Sequence, residues 1–347
     1  MRRDFRVLAV ACCAIALAAV RLAAEETALV EPSQVIESPA DAIVNRRPVI
    51  TAVAILPGGK LVATAGDDHV VRLWSTTSGR IVHTLKGHAD WVRALAVSPD
   101  GRILASGGDD RRVLLWDVST GEVAQRLAPH PHAVYSLAFH PDGSRIAVVG
   151  FEHEVHLYDT ATGQQIRVFD GPGVDLRSVT FSPDGNQLAT GGRNGQIRVW
   201  DVQTGTVALE ISAPRGRIRT LAYLPLGDVL VSAGEGRTIY LWDARDGQQR
   251  GSLQPRTGKV LSMAVCGEEL IATGGSDNLV RVWNWRTQEE VDRLQGHTGS
   301  VATLAYDLAS QMMISGSFDT TVRVWRLEGS GTQVDSAKAP SKPAQVH

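Results

Sequence analysis

Two sets of histidine, serine and aspartate recur in this sequence with the same spacing. They are His88, Ser106 and Asp110, followed much later by His297, Ser315 and Asp319. These residue types form the triad of serine hydrolases, in which histidine takes the serine proton and aspartate orients the histidine. A set that recurs with a repeat is instead typical of a structural network, because a buried imidazole needs hydrogen-bond partners. We therefore predict that neither set is catalytic and that the protein is not an enzyme.

A second group of residues has the chemistry of metal ligands. It contains His130, His132, Glu152 and His153. Imidazole and carboxylate groups bind transition metals, but these four residues have no fixed ligand spacing. The chain also contains no Walker, Rossmann or serine-hydrolase motif. We predict no metal site and no cofactor.

The elements that position these residues are repeated units. An aromatic residue ends a short β-like run seven times, at intervals of 42, 42, 42, 42, 41 and 42 residues. These residues are Trp74, Trp116, Tyr158, Trp200, Trp242, Trp283 and Trp325. Each unit reads as four short strands separated by turns, and such a period indicates one supersecondary unit copied along the chain. The sequence predicts an all-β, seven-bladed β-propeller of four-stranded antiparallel blades.

The second unit carries two characteristic dipeptides, Gly87-His88 and Trp116-Asp117. Trp200-Asp201 and Trp242-Asp243 repeat the second of them. On these residues the chain resembles the WD40-repeat family over about residues 34–327. The resemblance implies a structural hydrogen-bond network of histidine, hydroxyl, aspartate and tryptophan within a blade. That network maps to His88, Ser106, Asp110 and Trp116 in blade two, and to His297, Ser315, Asp319 and Trp325 in blade seven.

Two blades depart from this pattern more than the others. In blade three, Val148 replaces the hydroxyl, Glu152 the aspartate and Tyr158 the tryptophan. In blade five, Gly236 stands where the aspartate is expected. Because a blade without the network loses internal hydrogen bonds, we expect blades three and five to be the least rigid.

The first residues of the chain differ from the repeats. Three arginines precede an apolar run that extends from Val7 to Val20. This pattern is typical of a secretory signal peptide, which we assign to residues 1–24, with an uncleaved anchor as the alternative. We therefore predict an exported protein, periplasmic or extracellular, without membrane insertion unless the signal is retained. Residues 25–33 are predicted as a linker and residues 328–347 as a disordered tail.

The seventh unit lacks a fourth strand, so its partner must come from elsewhere in the chain. Either Gln34-Val35-Ile36 or Ala42-Ile43-Val44 has the apolar character to supply it. Such pairing removes the open edges between the first and last blades. We predict that an N-terminal strand closes a monomeric propeller.

The formal net charge of −2 suggests neither a nucleic-acid partner nor a membrane-surface partner. In the family that the chain resembles, partners mostly bind the top face. This face carries the loops between fourth and first strands and the turns between second and third strands. Aligned positions there hold tryptophan, tyrosine, phenylalanine and arginine, residues that dominate interface energetics. The predicted partner-binding residues are Trp91, Arg93, Tyr135, Phe151, Arg177, Arg193, Arg217 and Arg219.

The arginines of blades four and five favour an anionic partner through charge-assisted hydrogen bonds. We predict a non-catalytic protein–protein interaction scaffold whose partner presents an acidic segment, or else an anionic polysaccharide. The alternative is an enzyme or small-ligand receptor that uses the mouth of the central channel. A third possibility is a purely structural surface protein. A deep polar pocket favours the second class, and a broad aromatic and arginine surface favours the scaffold.

Overall fold

A computed structural model of the chain describes residues 29–30, 32–40, 46–214, 216–255 and 258–327. These residues form seven β-sheets, each built around four antiparallel strands. The predicted all-β fold of seven four-stranded blades is confirmed. Within the described ranges, no helix has the length and apolar character needed to cross a bilayer.

The strands of each blade follow one another along the chain from the channel outwards. Blade one comprises Ile50–Ile55 (β3), Leu61–Gly66 (β4), Val70–Ser75 (β5) and Ile81–Lys86 (β6). Blade two comprises Val92–Val97 (β7), Ile103–Gly108 (β8), Val113–Asp117 (β9) and Val123–Arg126 (β10). Blade three comprises Val134–Phe139 (β11), Arg145–Gly150 (β12), Glu154–Asp159 (β13) and Gln165–Asp170 (β14).

The same order continues through the remaining blades. Blade four comprises Leu176–Phe181 (β15), Gln187–Gly192 (β16), Gln196–Asp201 (β17) and Val207–Ser212 (β18). Blade five comprises Ile218–Tyr223 (β19), Val229–Gly234 (β20), Ile239–Asp243 (β21) and Gln249–Leu253 (β22). Blade six comprises Val260–Cys266 (β23), Leu270–Gly275 (β24), Val280–Asn284 (β25) and Glu289–Leu294 (β26). Blade seven contributes Val301–Asp307 (β27), Met312–Ser317 (β28) and Thr321–Arg326 (β29).

The turns between strands have local chemical causes. In blade two, Asp100 accepts a hydrogen bond from the backbone N–H of Arg102, and Gly101 adopts a φ of 73°. A left-handed backbone conformation is inexpensive only for glycine among the common residues. The Pro-Asp-Gly sequence therefore forms a tight turn on the bottom face, opposite the top face defined above.

The hydrophobic core lies between neighbouring blades. Trp116 of blade two packs in one cluster with Leu73 and Leu85 of blade one, and all three side chains are buried. Burying a large apolar side chain contributes roughly 1.5–3 kcal/mol. The periodic aromatic residue is therefore the side chain that joins each blade to its neighbour.

A strand from the other end of the chain completes blade seven. Gln34–Glu37 (β2) pairs antiparallel with β29, with Gln34 opposite Val324 and Glu37 opposite Thr321. The predicted closure by an N-terminal strand is confirmed, with Gln34-Val35-Ile36 as the pairing segment. The alternative, residues 42–44, lies outside the described residues, as do the predicted signal peptide and tail.

A short strand in the predicted linker was not expected from the sequence. Leu29–Val30 (β1) pairs parallel with β26, placing Leu29 opposite Arg293 and Val30 opposite Leu294. It adds a fifth strand to the outer edge of blade six. The N-terminal segment thus contacts blades six and seven in succession.

Candidate functional site

The innermost strand of every blade has a register shift near its top end. In blade two the shift falls between Val92 and Ala94, and in blade three it falls between Val134 and Ser136. A β-bulge leaves its extra residue out of the ladder and redirects that side chain. The redirected residues are Thr51, Arg93, Tyr135, Arg177, Arg219, Leu261 and Ala302, here called the channel-mouth ring.

The channel-mouth ring lines a cavity of about 310 Å³ at the top of the central channel. The ring has two unequal halves. Blades two to five contribute three arginines and a tyrosine, whereas blades six, seven and one contribute leucine, alanine and threonine. The three arginines and the tyrosine are among the predicted partner-binding residues, and the structure brings them together around one opening.

The arginines of this ring are held in place by aromatic rings and carboxylates. Arg93 lies 4.4 Å from the Trp91 ring centroid and forms a bidentate ion pair with Asp109, the shorter contact being 2.6 Å. Arg177 lies 3.8 Å from the Tyr135 ring centroid and pairs with Asp175. A cation held over an aromatic face loses less conformational freedom when it binds a partner. These side chains are therefore ordered before any ligand arrives.

One carboxylate on this surface serves several cations. Glu235 lies 2.9 Å from Arg219, 3.9 Å from Arg217 and 4.0 Å from Lys259. Burial opposes ionisation, but the hydrogen bond from Arg219 and the nearby positive charges lower the pKa of Glu235. In addition, Nε of Arg219 is buried without a hydrogen-bond partner among the described residues. Positive charge therefore exceeds negative charge at this point of the rim.

The ion pairs neutralise part of the positive charge that the sequence predicts for the top face. Arg93, Arg177 and Arg219 each form an ion pair with an acidic side chain of the top face, a pairing that the sequence analysis did not predict. Arg193 is exposed at the turn between β16 and β17. Beside Glu235, by contrast, one carboxylate faces the three cations Arg217, Arg219 and Lys259.

Two phenylalanines of the top face are largely exposed. Phe151, a predicted partner-binding residue, is 48% exposed at the turn between β12 and β13. Phe318 is 50% exposed and also lines the channel-mouth cavity, although it was not among the predicted residues. It occupies in blade seven the position that Phe151 occupies in blade three, and that equivalence was the signal available in the sequence.

The histidine, serine and aspartate sets form continuous hydrogen-bond chains inside their blades. In blade seven the Trp325 indole N–H donates to Ser315 Oγ at 2.8 Å, and Ser315 Oγ lies 2.7 Å from His297 Nε2. His297 Nδ1 lies 2.8 Å from Asp319 Oδ2. Blade two repeats this with Trp116, Ser106, His88 and Asp110. Both serines are fully buried, so their hydroxyl groups cannot meet a substrate.

The aspartates at the end of these chains are held as anions. Burial alone would raise the pKa of Asp319, but hydrogen bonds from His297, Thr321 and the backbone of Thr298 outweigh it and lower that pKa. The pKa of Asp110 is lowered by the equivalent contacts with His88 and Ala89, again against burial. These networks therefore stabilise the charged carboxylate.

Blades one and six satisfy the same aspartate differently. They lack the loop histidine, and an arginine two residues before the tryptophan takes its place. Arg72 lies 2.6 Å from Asp68, and Arg281 lies 2.7 Å from Asp277. The third strand of these blades thus supplies the cation that the preceding loop does not.

Blade three brings together a different set of groups. His130, Glu152 and His156 are all buried, with His130 Nδ1 3.5 Å from Glu152 Oε1 and His156 Nε2 3.4 Å from Glu152 Oε2. His132 and His153, which were considered with them as ligands, are exposed and outside this cluster. The sequence analysis did not identify His156 as a candidate ligand. The available signal is its position two residues before the periodic aromatic, where blades one and six have Arg72 and Arg281.

Titration in blade three follows from burial and charge. Burial opposes ionisation of Glu152, but interactions with His130 and His156 hold its pKa at about 2. Burial lowers the pKa of His156, yet its interactions with Glu152 and Gln165 raise it overall. Burial, with a smaller effect of Glu152, raises the pKa of Tyr158 to about 12. The carboxylate is thus ionised and the phenol protonated at neutral pH.

Two protein-family models match most of the residues that form the propeller. The family described as IFT122 first beta-propeller matches residues 49–231, more than half of the chain. The family described as WD domain, G-beta repeat matches residues 247–284 and 288–326. Together the two matches extend from blade one to blade seven.

Individual relatives match over short segments. Periodic tryptophan protein 2 of Saccharomyces cerevisiae is 34% identical over 68 residues, which are 19% of this chain and 7% of that protein. A U3 snoRNP-associated protein-like protein, EMB2271, of Arabidopsis thaliana is 38% identical over 69 residues, 20% of this chain and 14% of that protein. Eukaryotic translation initiation factor 3 subunit I of Eremothecium gossypii is 37% identical over 59 residues, 17% of each chain. The chain therefore covers less than a fifth of the length of these relatives.

These relatives contradict the predicted localisation. A U3 snoRNP-associated protein and a translation initiation factor subunit are intracellular proteins by name. The prediction of an exported, periplasmic or extracellular protein is therefore wrong. It depended on residues 1–24, whose composition alone suggested a signal peptide and which lie outside the described residues.

Proposed function

Because the chain belongs to the WD40-repeat family of seven-bladed β-propellers, we propose that it is a non-catalytic scaffold for protein interactions. Its partner binds the top face, over the polar half of the channel-mouth ring. The observation that carries this proposal is the asymmetry of that ring. Preordered arginines and aromatics occupy four consecutive blades, and three small or apolar residues occupy the others.

The chemistry of the rim favours an acidic segment of the partner. Glu235 faces Arg217, Arg219 and Lys259, so one carboxylate offsets only part of the positive charge. A carboxylate from a partner would accept hydrogen bonds from the solvent-accessible donors of Arg217, Arg219 and Lys259. The exposed rings of Phe151 and Phe318 flank this region and offer apolar contact area.

A labelled peptide of consecutive glutamates tests the charge preference. Its binding to the full chain is measured by fluorescence anisotropy at low ionic strength, with a lysine peptide of equal length for comparison. Replacing Arg219 by Gln should weaken glutamate-peptide binding roughly tenfold, because a charge-assisted hydrogen bond is lost. Arg102→Gln is the matched control, since Arg102 lies on the bottom face and is 84% exposed. Equal affinity in the two variants would reject the proposal.

Photocrosslinking identifies the face that meets a protein partner. A photoreactive residue at Phe151 or Phe318 should give a defined adduct with a cellular protein, and mass spectrometry should map the crosslink to an acidic stretch of it. The same group at Leu226, which is 72% exposed on the bottom face, is the control. Adducts formed only from Leu226 would move the interaction to the opposite face and overturn the assignment.

The cavity itself favours a second candidate, a receptor for a small anion. Its volume of about 310 Å³ is at the lower end of the range for small-molecule sites. Three arginines line it, so a short dicarboxylate is the appropriate probe for calorimetric titration. Submillimolar binding of malonate, without tighter binding of the glutamate peptide, would favour the receptor over the scaffold.

A further inference from the structure

The polar cluster inside blade three has the composition of a metal site. His130, Glu152 and His156 each offer one ligand atom, and these atoms lie within 4.8 Å of one another. The side chains are at most 8% exposed. The described part of the chain holds no second group of three such residues. Two imidazoles and a carboxylate form a ligand set that zinc uses widely.

The ligand atoms of this cluster have no other hydrogen-bond partner. Nδ1 of His130, Oε1 of Glu152 and Nε2 of His156 are buried and unpaired among the described residues. Unpaired buried polar atoms are rare, because each costs about 1–3 kcal/mol. Three of them that converge on one point indicate that something other than protein is needed to satisfy them.

The far side of each imidazole is oriented as in metal-binding histidines. Nδ1 of His156 lies 3.0 Å from the amide oxygen of Gln165, which can only accept, so that nitrogen carries the proton. A neutral His156 ring then presents the Nε2 lone pair to Glu152. On the other ring, Nε2 of His130 lies 3.3 Å from the Tyr158 hydroxyl, and donation to that oxygen leaves the Nδ1 lone pair free. Such outer contacts fix the tautomer of a ligand.

The His–carboxylate distances in the cluster fit a shared metal ion better than direct hydrogen bonds. The His–carboxylate contacts are 3.5 Å and 3.4 Å in blade three, compared with 2.8 Å for His297 and Asp319 in blade seven. Good hydrogen bonds of this type are shorter, at about 2.7–3.2 Å. Two ligands that are each about 2.1 Å from a tetrahedral zinc ion are about 3.4 Å apart. The two His–carboxylate spacings, one to Oε1 and the other to Oε2 of Glu152, match the second arrangement.

We propose that blade three binds a divalent transition-metal ion, with zinc as the expected species, through His130, Glu152 and His156. Gln165 and Tyr158 orient the two imidazoles from behind. Glu154, whose side chain is 41% exposed, lies 3.5 Å from His156 Nε2 on the side that faces solvent. The ion takes the place of the tryptophan, serine and histidine chain that Val148 and Tyr158 make impossible in this blade. Its role is to stabilise the blade.

Metal content and thermal stability test the proposal directly. The full chain, prepared without a histidine tag and stripped with chelator, should take up one zinc per chain in equilibrium dialysis. Saturating zinc should raise the melting temperature by about 5 °C, because a ligand that binds only the folded state stabilises it. Cobalt should give the strong visible absorption of a tetrahedral site, and zinc should abolish it. Absence of both the stoichiometric uptake and this absorption would overturn the proposal.

Substitutions within the cluster locate the ion. Glu152→Gln and His156→Gln keep the side-chain volume and should each reduce zinc affinity at least a hundredfold and remove the zinc-dependent rise in melting temperature. His297→Gln is the matched control, because His297 occupies the same position in blade seven but is fully hydrogen-bonded. It should lower the melting temperature and leave the zinc response intact.

The outcomes separate an ion from a proton-linked network. If protonated histidines alone satisfy Glu152, zinc binds no more tightly to the native chain than to Glu152→Gln, and the proposal fails. Should either cluster variant not fold, the cobalt absorption of the native chain decides, because a network of protons gives none.

Discussion

Blades three and seven each contain an acid in the turn between their second and third strands, but different groups contact that acid. In blade seven, a buried acid is reached by an unbroken chain of hydrogen bonds from Trp325 through Ser315 and His297. In blade three, Val148 interrupts that chain, and two histidines face Glu152 at longer distances. Both blades therefore keep an acid in this turn, although blade five has Gly236 at that position. The partner of the acid changes from a loop histidine to a strand arginine or to two histidines at once.

The largest expected effect concerns how the two blades are completed. Blade three contains its own outer strand, β14, whereas blade seven borrows β2 from residues before blade one. A chain that begins at residue 39 should lose about 3–6 kcal/mol of unfolding free energy, because it lacks the buried Ile36 side chain and leaves the edge of β29 unpaired. Urea unfolding measures this loss. A chain that begins at residue 32 retains β2 and is the control, and equal midpoints for the two chains would contradict the expectation.

Breaking the serine link should have the next largest effect. Ser315→Val gives blade seven the residue type that blade three has at Val148. It leaves the Trp325 indole N–H and the His297 imidazole without partners, so unfolding free energy should fall by about 2–4 kcal/mol. Chemical denaturation measures this loss as a lower midpoint concentration at an unchanged m-value. Ser310→Val on the bottom turn is a control for the substitution itself, and a similar loss there would show that the network is not responsible.

Acidification should weaken blade seven through Asp319. The folded-state pKa of this carboxylate is depressed, so its stabilising contribution is present above the unfolded value, about 3.9, and is lost as the pH falls towards the lower folded value. Asp319→Asn should therefore cost about 2 kcal/mol near neutral pH and progressively less in acid. Unfolding titrations of both proteins between neutral and strongly acidic pH measure the difference. A constant difference across that range would disprove the linkage.

The smallest expected effect comes from rebuilding the missing chain in blade three. Tyr158→Trp alone places an indole N–H beside Val148, where it finds no hydroxyl, and should destabilise the blade. Adding Val148→Thr supplies an acceptor, as Thr64 does for Trp74 in blade one. A double-mutant cycle should show a favourable coupling of about 1 kcal/mol. A coupling energy of zero would mean that residues 148 and 158 do not form the hydrogen bond that Thr64 and Trp74 form in blade one.

Local patterns predicted the architecture because they act over a few residues. The periodic aromatics, the Pro-Asp-Gly turns and the alternation within strands determine where each strand begins and ends. The closing strand was predictable for a similar reason, since blade seven lacked a fourth strand and Gln34-Val35-Ile36 offered one. β1 was not predictable, because a two-residue parallel pairing has no sequence signature of its own.

The side-chain partners were less accessible to sequence reasoning. The bulges redirect Arg93 and Arg177 towards the channel, where Asp109 from the turn after β8 and Asp175 from the loop before β15 pair with them. His156 contacts the turn acid of blade three from the strand position at which Arg72 and Arg281 contact the turn acids of blades one and six. This equivalence becomes visible only when the position two residues before the periodic aromatic is compared across all blades.

The pairing between β2 and β29 has a consequence for synthesis of the protein. Ser33 Oγ donates to the carbonyl oxygen of Val324, a contact between residues 291 positions apart. A ribosome makes β2 long before it makes β29, the strand that β2 joins. Throughout that interval β2 has no partner strand, and its backbone groups stay unpaired. The nascent chain is therefore most exposed to misassociation just before its final blade leaves the ribosome.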